Sequence, residues 1–164
     1  MKRHLQNILL AFLCFSGLNI YAQFRITENL GQWDSQVKFK ADLVSAKLFV
    51  SEGELSYLFY DGAKISEIEH NPKERDSVQV HVIKVKFLNA NPQAQYTGQL
   101  AYSDYSNYYR GSNPNKWKSH VKSYRKLYVK DIYKNIDFEL LEDKGRLKYN
   151  FIVLAGGNPN DIQI

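Results

Sequence analysis

Apolar and polar residues alternate along most of this chain, and that period of two is what most narrows the folds open to it. Successive side chains of an extended strand point to opposite faces, so apolar residues at every other position mark a half-buried strand. Leu147, Tyr149, Phe151 and Val153 line one face in this way, and Val37, Phe39 and Ala41 alternate with charged or polar neighbours. The helical spacing of apolar residues is scarce. Twelve Tyr and nine Phe supply much of the apolar area, and both types suit a pleated surface. The reading is an all-β, mainly antiparallel sandwich of roughly eight to ten short strands.

Turn chemistry divides the pattern into strands. Residues 47–50 and 55–60 read as two strands joined by Ser51-Glu52-Gly53-Glu54, where the glycine suits a tight hairpin turn. Asp61-Gly62 closes the second of them. Residues 64–76 are the most polar stretch, with no apolar face to bury, and read as an exposed loop. In residues 78–87 the alternation changes phase: Val78, Val80 and Val82 share one face, Ile83, Val85 and Phe87 the other. A strand accommodates that slip through a bulge or through burial of both faces, and a bulge or bend is expected at Val82-Ile83. Residues 95–100 form a weaker strand, 102–109 an aromatic-rich stretch, and 111–115 a turn. Strands follow at 121–129 and 136–141, then a hairpin at Glu142-Asp143-Lys144-Gly145. Gly156-Gly157-Asn158-Pro159 breaks the return strand. Residues 161–164 read as the start of a further strand, which suggests a domain that continues beyond Ile164.

The first 22 residues have the layout of a secretory leader. Lys2 and Arg3 precede an apolar run over residues 8–18, and Ile20-Tyr21-Ala22 ends on a small residue, so cleavage is expected after Ala22. The run of 11 is short of the about 20 apolar residues a membrane anchor needs. Lipidation at Cys14 is disfavoured because Leu13 stands where lipoprotein signals resemble one another in having a small residue. Of the 164 residues, 22 belong to the leader and 142 remain, enough for one domain with a sizeable core. The chain's only cysteine leaves with the leader, so the secreted domain holds no disulfide. Without Lys2 and Arg3 the formal charge falls from +5 to +3. The densest cationic stretch is Lys116, Lys118, Lys122, Arg125, Lys126, Lys130 and Lys134, a solvated face or a patch for acidic polysaccharide, anionic lipid or nucleic acid.

No catalytic pattern stands out. His70, His81 and His120 lack zinc spacing, and no Gly-x-Ser-x-Gly, EF-hand or phosphate loop occurs. Asp131, Asp137 and Glu139 would form a metal site only if they converged; otherwise Asp137 serves a backbone or turn hydrogen bond. Tyr102, Tyr105 and Trp117 are candidates for stacking on a sugar, against the alternative that such rings fill the core.

Four motifs bring a family into view. Glu28-Asn29-Leu30-Gly31-Gln32-Trp33 resembles an "ENxGQW" opening. Tyr108-Tyr109-Arg110-Gly111-Ser112-Asn113-Pro114-Asn115-Lys116-Trp117 resembles "NYxxGxxPxxW". Ile132-Tyr133-Lys134-Asn135-Ile136-Asp137 resembles "LYxGIDxxxY", with Asn135 in place of the usual glycine. Tyr149, Phe151, Gly157, Pro159 and Ile162 resemble "YDFxVxPGxdPxxI", with Asn150 where an acid is frequent and Ala155-Gly156-Gly157 in place of a Pro-Gly pair. In combination the chain resembles the uncharacterised N-terminal β domain of secreted proteins of Bacteroidota-type bacteria. That family often carries SBBP β-propeller repeats and a gliding-motility or type IX sorting domain downstream. The resemblance implies a structural role for the motif residues. It also implies a non-enzymatic structural or adhesive module at the cell surface, meeting a glycan or a surface protein, with no cofactor, no nucleic acid and no membrane span. The rival expectations are a domain of polysaccharide breakdown and a cap for downstream β repeats.

Overall fold

The computed structural model describes residues 25–43, 45–71, 77–143 and 145–164. Residues 1–22, where a leader is expected, and part of the polar 64–76 stretch lie outside them. The described residues form nine strands: β1 Ile26–Glu28, β2 Phe39–Leu43, β3 Ala46–Ser51, β4 Glu54–Tyr60, β5 Val80–Lys86, β6 Gln95–Tyr108, β7 Lys118–Tyr133, β8 Ile136–Asp143 and β9 Arg146–Val153. All pairings are antiparallel, so the all-β reading holds. They form one sheet in the order β5-β4-β3-β2-β1-β7-β8-β9, with β6 also paired to β7.

The two layers of this domain are therefore arms of a single sheet that forks at β7. Tyr124 of β7 lies between Ile26 of β1 and Ala101 of β6, whereas Lys126, two residues on, lies between Leu141 of β8 and Gln99 of β6. One flank of β7 thus hands over from β1 to β8 within two residues. The arm β1–β5 and the arm β8–β9 diverge there and curl towards each other. Phe87, just after β5, closes the gap: its ring centroid lies 5.2 Å from that of Phe138 and 5.7 Å from that of Phe151. Ile26, Leu48, Leu127, Ile136, Phe138 and Leu140 are fully enclosed between the arms. Their burial, at about 25 cal/mol per Å² of apolar surface, is the main cohesive term in a domain without disulfides.

Four local expectations are corrected. The polar segment after Asp61 begins with a helix, α1 Gly62–His70, which buries none of its residues. Capping and local pairing hold it instead: the Asp61 carboxylate accepts the Lys64 backbone N–H, and Lys64 pairs with Glu67 one turn on. No bulge occurs at Val82-Ile83, because β5 keeps continuous register with β4 from Val80 to Lys86. The bulges lie in the long β6–β7 pair, between Ala101 and Tyr105 and between Ser106 and Tyr108, and where β7 leaves β8 between Val129 and Tyr133. Residues 162–164 form no strand; Ile162 packs on the core, and the Gln163 carbonyl accepts bonds from the Leu88 N–H and the Tyr133 hydroxyl. The 95–100 and 102–109 stretches are one 14-residue strand. Among the described residues, no helix is long and apolar enough to cross a membrane.

Candidate functional site

Three of the four sequence motifs build joints of the frame. Asn29 organises the segment between β1 and β2. Its amide donates to the carbonyls of Asp34 and Val37, and its side-chain oxygen accepts the N–H groups of Gly31 and Trp33. Gly31 sits at φ +109°, where an L side chain is strained, and an added Cβ would also lie 3.0 Å from the Lys118 side chain. The Glu28 carboxylate crosses to β7, accepting the Lys122 N–H at 3.1 Å and the Tyr124 hydroxyl at 3.0 Å. Trp33 meets Tyr108 edge-on at 5.5 Å, with the Lys40 ammonium 5.2 Å from its ring centre.

Asp137 is the corresponding joint of the second arm. It is buried on β8, accepts the Asp131 backbone N–H at 2.7 Å and accepts a hydrogen bond from the Tyr128 hydroxyl. Asp131 stands at φ +54° within the irregular part of β7, so the carboxylate satisfies a donor that the bulge frees from the ladder. Glu139 turns to Lys126 and to the Asn150 amide, and both hold its carboxyl below the usual range, the Lys126 hydrogen bond foremost. Asp131, Asp137 and Glu139 are thus spent on separate partners; among the described residues no three His, Cys, Asp or Glu are grouped to hold a metal. Asn135, in the place where glycine is usual, has φ +54°, a conformation Asn tolerates better than most residues. Its carbonyl would lie 2.6 Å from a Cβ on Gly157, which leaves that position to glycine. Ile136 is enclosed, Tyr133 ties down Gln163, Phe151 packs under Phe87, and Tyr149 lies over Phe138 while still exposed. Pro159 opens a 3₁₀ turn whose cap is Asn158.

What remains outside the frame is the far end of the β6–β7 hairpin. Its tip is fixed by Gly111 at φ +70° and by a 3₁₀ turn, Pro114–Lys116, capped by the Asn113 side chain. Trp117 closes the tip: its indole N–H donates to the Gly111 carbonyl at 3.1 Å and its ring meets Tyr109 at 5.7 Å. The indole is therefore held from behind yet 42% exposed, and Tyr109 is exposed beside it. Along the hairpin Tyr105, 53% exposed, stacks on the His120 imidazole at 4.3 Å, and the His120 N–H is held by Asn107. Tyr105 is paired across the strands with Lys122, so ring and ammonium share a face. From Tyr105 to Lys130 no carboxylate occurs, while Arg110, Lys116, Lys118, Lys122, Arg125, Lys126 and Lys130 do.

Of the three residues expected to stack on a ligand, Tyr105 and Trp117 lie on this surface. Tyr102 is half-buried; the Arg25 guanidinium lies 4.2 Å from its ring centre, and its hydroxyl is enclosed without a partner among the described residues. Arg25 is fixed there by a two-pronged ion pair with Asp104, which holds that carboxyl below its usual range. From sequence, His120 reads as an ordinary residue, and Tyr109 as a motif position that could join Tyr102, Tyr105 and Tyr108 in an aromatic platform. The acid-free run from Tyr105 to Lys130 was the signal that could have joined them to Tyr105 and Trp117.

No curated protein and no solved structure matches the chain. A family model described as Domain of unknown function (DUF7948) matches residues 26–164, from the first residue of β1 to Ile164. That span takes in all nine strands and every joint above, and the chain belongs to this family.

Proposed function

We propose that this domain is a non-enzymatic contact module at the N-terminus of an exported protein, released from its leader after Ala22 and meeting extracellular glycan through the β6–β7 hairpin. The observation that carries the reading is the pairing of exposed rings with rigid support: Trp117 and Tyr105 present their faces while Gly111, Asn107 and His120 fix their positions. Rings held in this way bind at little cost in side-chain entropy. Lys122 and Arg110 beside them add donors for sugar hydroxyls or acidic groups. Downstream β-propeller repeats or a sorting domain are the expected continuation, through which the protein would reach the cell surface. A glycosidase would need a general acid with a raised pKa. Among the described residues, the carboxylates that depart from their ordinary range, Glu54, Asp104 and Glu139, are all lowered by neighbouring donors.

Retention on a panel of immobilised polysaccharides tests the proposal. The expected result is binding without release of sugars, weakened at least tenfold in Trp117→Ala and Tyr105→Ala while both variants keep the wild-type melting temperature. No retention on any polysaccharide, or equal retention of the variants, would remove the hairpin from the account.

A further inference from the structure

β5 shows a conflict between its sequence and its surroundings. It is apolar on both sides, as a strand buried on both faces would be. Yet Val80, Val82 and Ile83 are 58%, 49% and 45% exposed. Ile83 lies opposite Tyr57 on the core side, and Val80 and Val82 lie opposite Tyr60 and Leu58 on the outer side. Among the described residues no strand lies beyond β5.

Free edges normally carry something that discourages pairing: a bulge, a proline, a short run or an outward charge. The free flank of β6 is interrupted by two register shifts. β9 carries the exposed charges of Arg146 and Lys148. β5 has no bulge, no proline and no shortened run, and its only charges are two exposed lysines on one face. It runs seven residues in unbroken register and lacks proline, and its two lysines are drawn back onto its own sheet, Lys84 and Lys86 reaching the Glu54 carboxylate of β4 at 3.0 and 3.9 Å.

We propose that β5 pairs antiparallel with β5 of a second copy of this chain, about a two-fold axis through Ile83. The pattern is self-complementary. A two-fold axis normal to a continuous sheet must place a residue opposite its own copy, or opposite one an even number of positions away, because only those point to the same face. With the axis at Ile83 all seven residues find partners: Ile83 faces Ile83, Val82 faces Lys84, His81 faces Val85, and Val80 faces Lys86. No lysine directly opposes another; Lys84 and its copy sit diagonally, each held by its own Glu54. Moving the axis to Lys84 sets two lysines face to face, and moving it to Val82 leaves Val85 and Lys86 outside the paired strand. Pairing at Ile83 would complete the ladder and cover the valines and isoleucine that a single copy leaves exposed.

The test uses the purified chain in a Cys14→Ser background, so that an added cysteine is unique. Oxidised Ile83→Cys is expected to migrate as a covalent dimer. Lys86→Cys is expected to show no covalent dimer on the same denaturing gel, since the two copies of residue 86 would be about 20 Å apart along the ladder. Without cross-linking, light scattering across a concentration series should give twice the chain mass for the wild type and the single mass for Ile83→Lys with an unchanged circular dichroism spectrum. A wild type that stays monomeric, cross-linking of both cysteine variants alike, or assemblies larger than two would overturn the proposal. The glycan test above is unaffected by any of these outcomes.

Discussion

Replacing Asp137 by alanine should be among the most damaging single changes in this domain, and its size follows from two bonds. The carboxylate is buried and accepts the Tyr128 hydroxyl and the Asp131 backbone N–H. Hydrogen bonds to a charged group contribute about 1.5–3 kcal/mol each, and a buried donor left unpaired costs a comparable amount. Loss of both acceptors therefore costs about 3–5 kcal/mol, with the lower end favoured because removing a buried charge also removes its desolvation penalty. At roughly 3 °C per kcal/mol for a domain of this length, the melting temperature should fall by about 10 °C or more. An Asp137→Asn side chain would keep an oxygen for the Asp131 N–H and offer an amide hydrogen that the Tyr128 oxygen can accept, so this variant should lose only about 1–2 kcal/mol. Tyr128→Phe should cost about as much as Asp137→Asn, and in the double variant Asp137→Ala/Tyr128→Phe the two losses should fall short of adding. Thermal and urea unfolding followed by circular dichroism measure all four. An Asp137→Ala protein within about 1 kcal/mol of wild type would refute the view that this carboxylate holds the β7 bulge. A calcium-dependent rise in wild-type stability that disappears in Asp137→Ala would instead make the residue a metal ligand.

Gly98→Ala should destabilise by about 1–3 kcal/mol by overpacking, because a Cβ there would fall 2.4–2.6 Å from the Tyr124 ring, which Glu28 and Phe39 keep from moving aside; chemical denaturation measures the loss, and an unchanged midpoint would show that the ring yields. Stability should decline steeply as pH rises above about 10. The Tyr128 hydroxyl is raised by its bond to Asp137, and those of Tyr57, Tyr96 and Tyr133 by burial. Each folded value lies above the unfolded one, so the stabilisation is complete below the unfolded pKa and lost as pH passes through the folded one; the decline should be shallower in Tyr128→Phe, and equal slopes for the two proteins would count against the assignment.

The turns and the framework were legible to different depths. Gly53 and Gly145 take positive φ in the hairpins where sequence placed them, at +61° and +77°. Turn type depends on a few adjacent residues, and those are visible in a sequence. Helix α1 escaped notice because it has no apolar face; its one local signal was Asp61 three residues ahead of Lys64, a cap rather than a pattern. The role of Asp137 could be named as a backbone hydrogen bond, but its partner could not, since Asp131 presents its N–H only after β7 has bulged. Tyr102, Tyr105 and Trp117 look equivalent as aromatic residues and part company in space, where Arg25 covers the first and the hairpin presents the other two.

The sequence by itself determined that this chain is extended, antiparallel and punctuated by tight turns, because strand alternation and turn preference act over two to four residues. Tertiary structure alone decided that the two layers are one sheet forked between Tyr124 and Lys126, since a strand's second neighbour is set by which distant segments compete for its flank. It also decided the standing of Val80, Val82 and Ile83. Alternation records which residues are suited to burial, but only the sheet order reveals that β5 is an edge and that this chain's own described residues leave them uncovered.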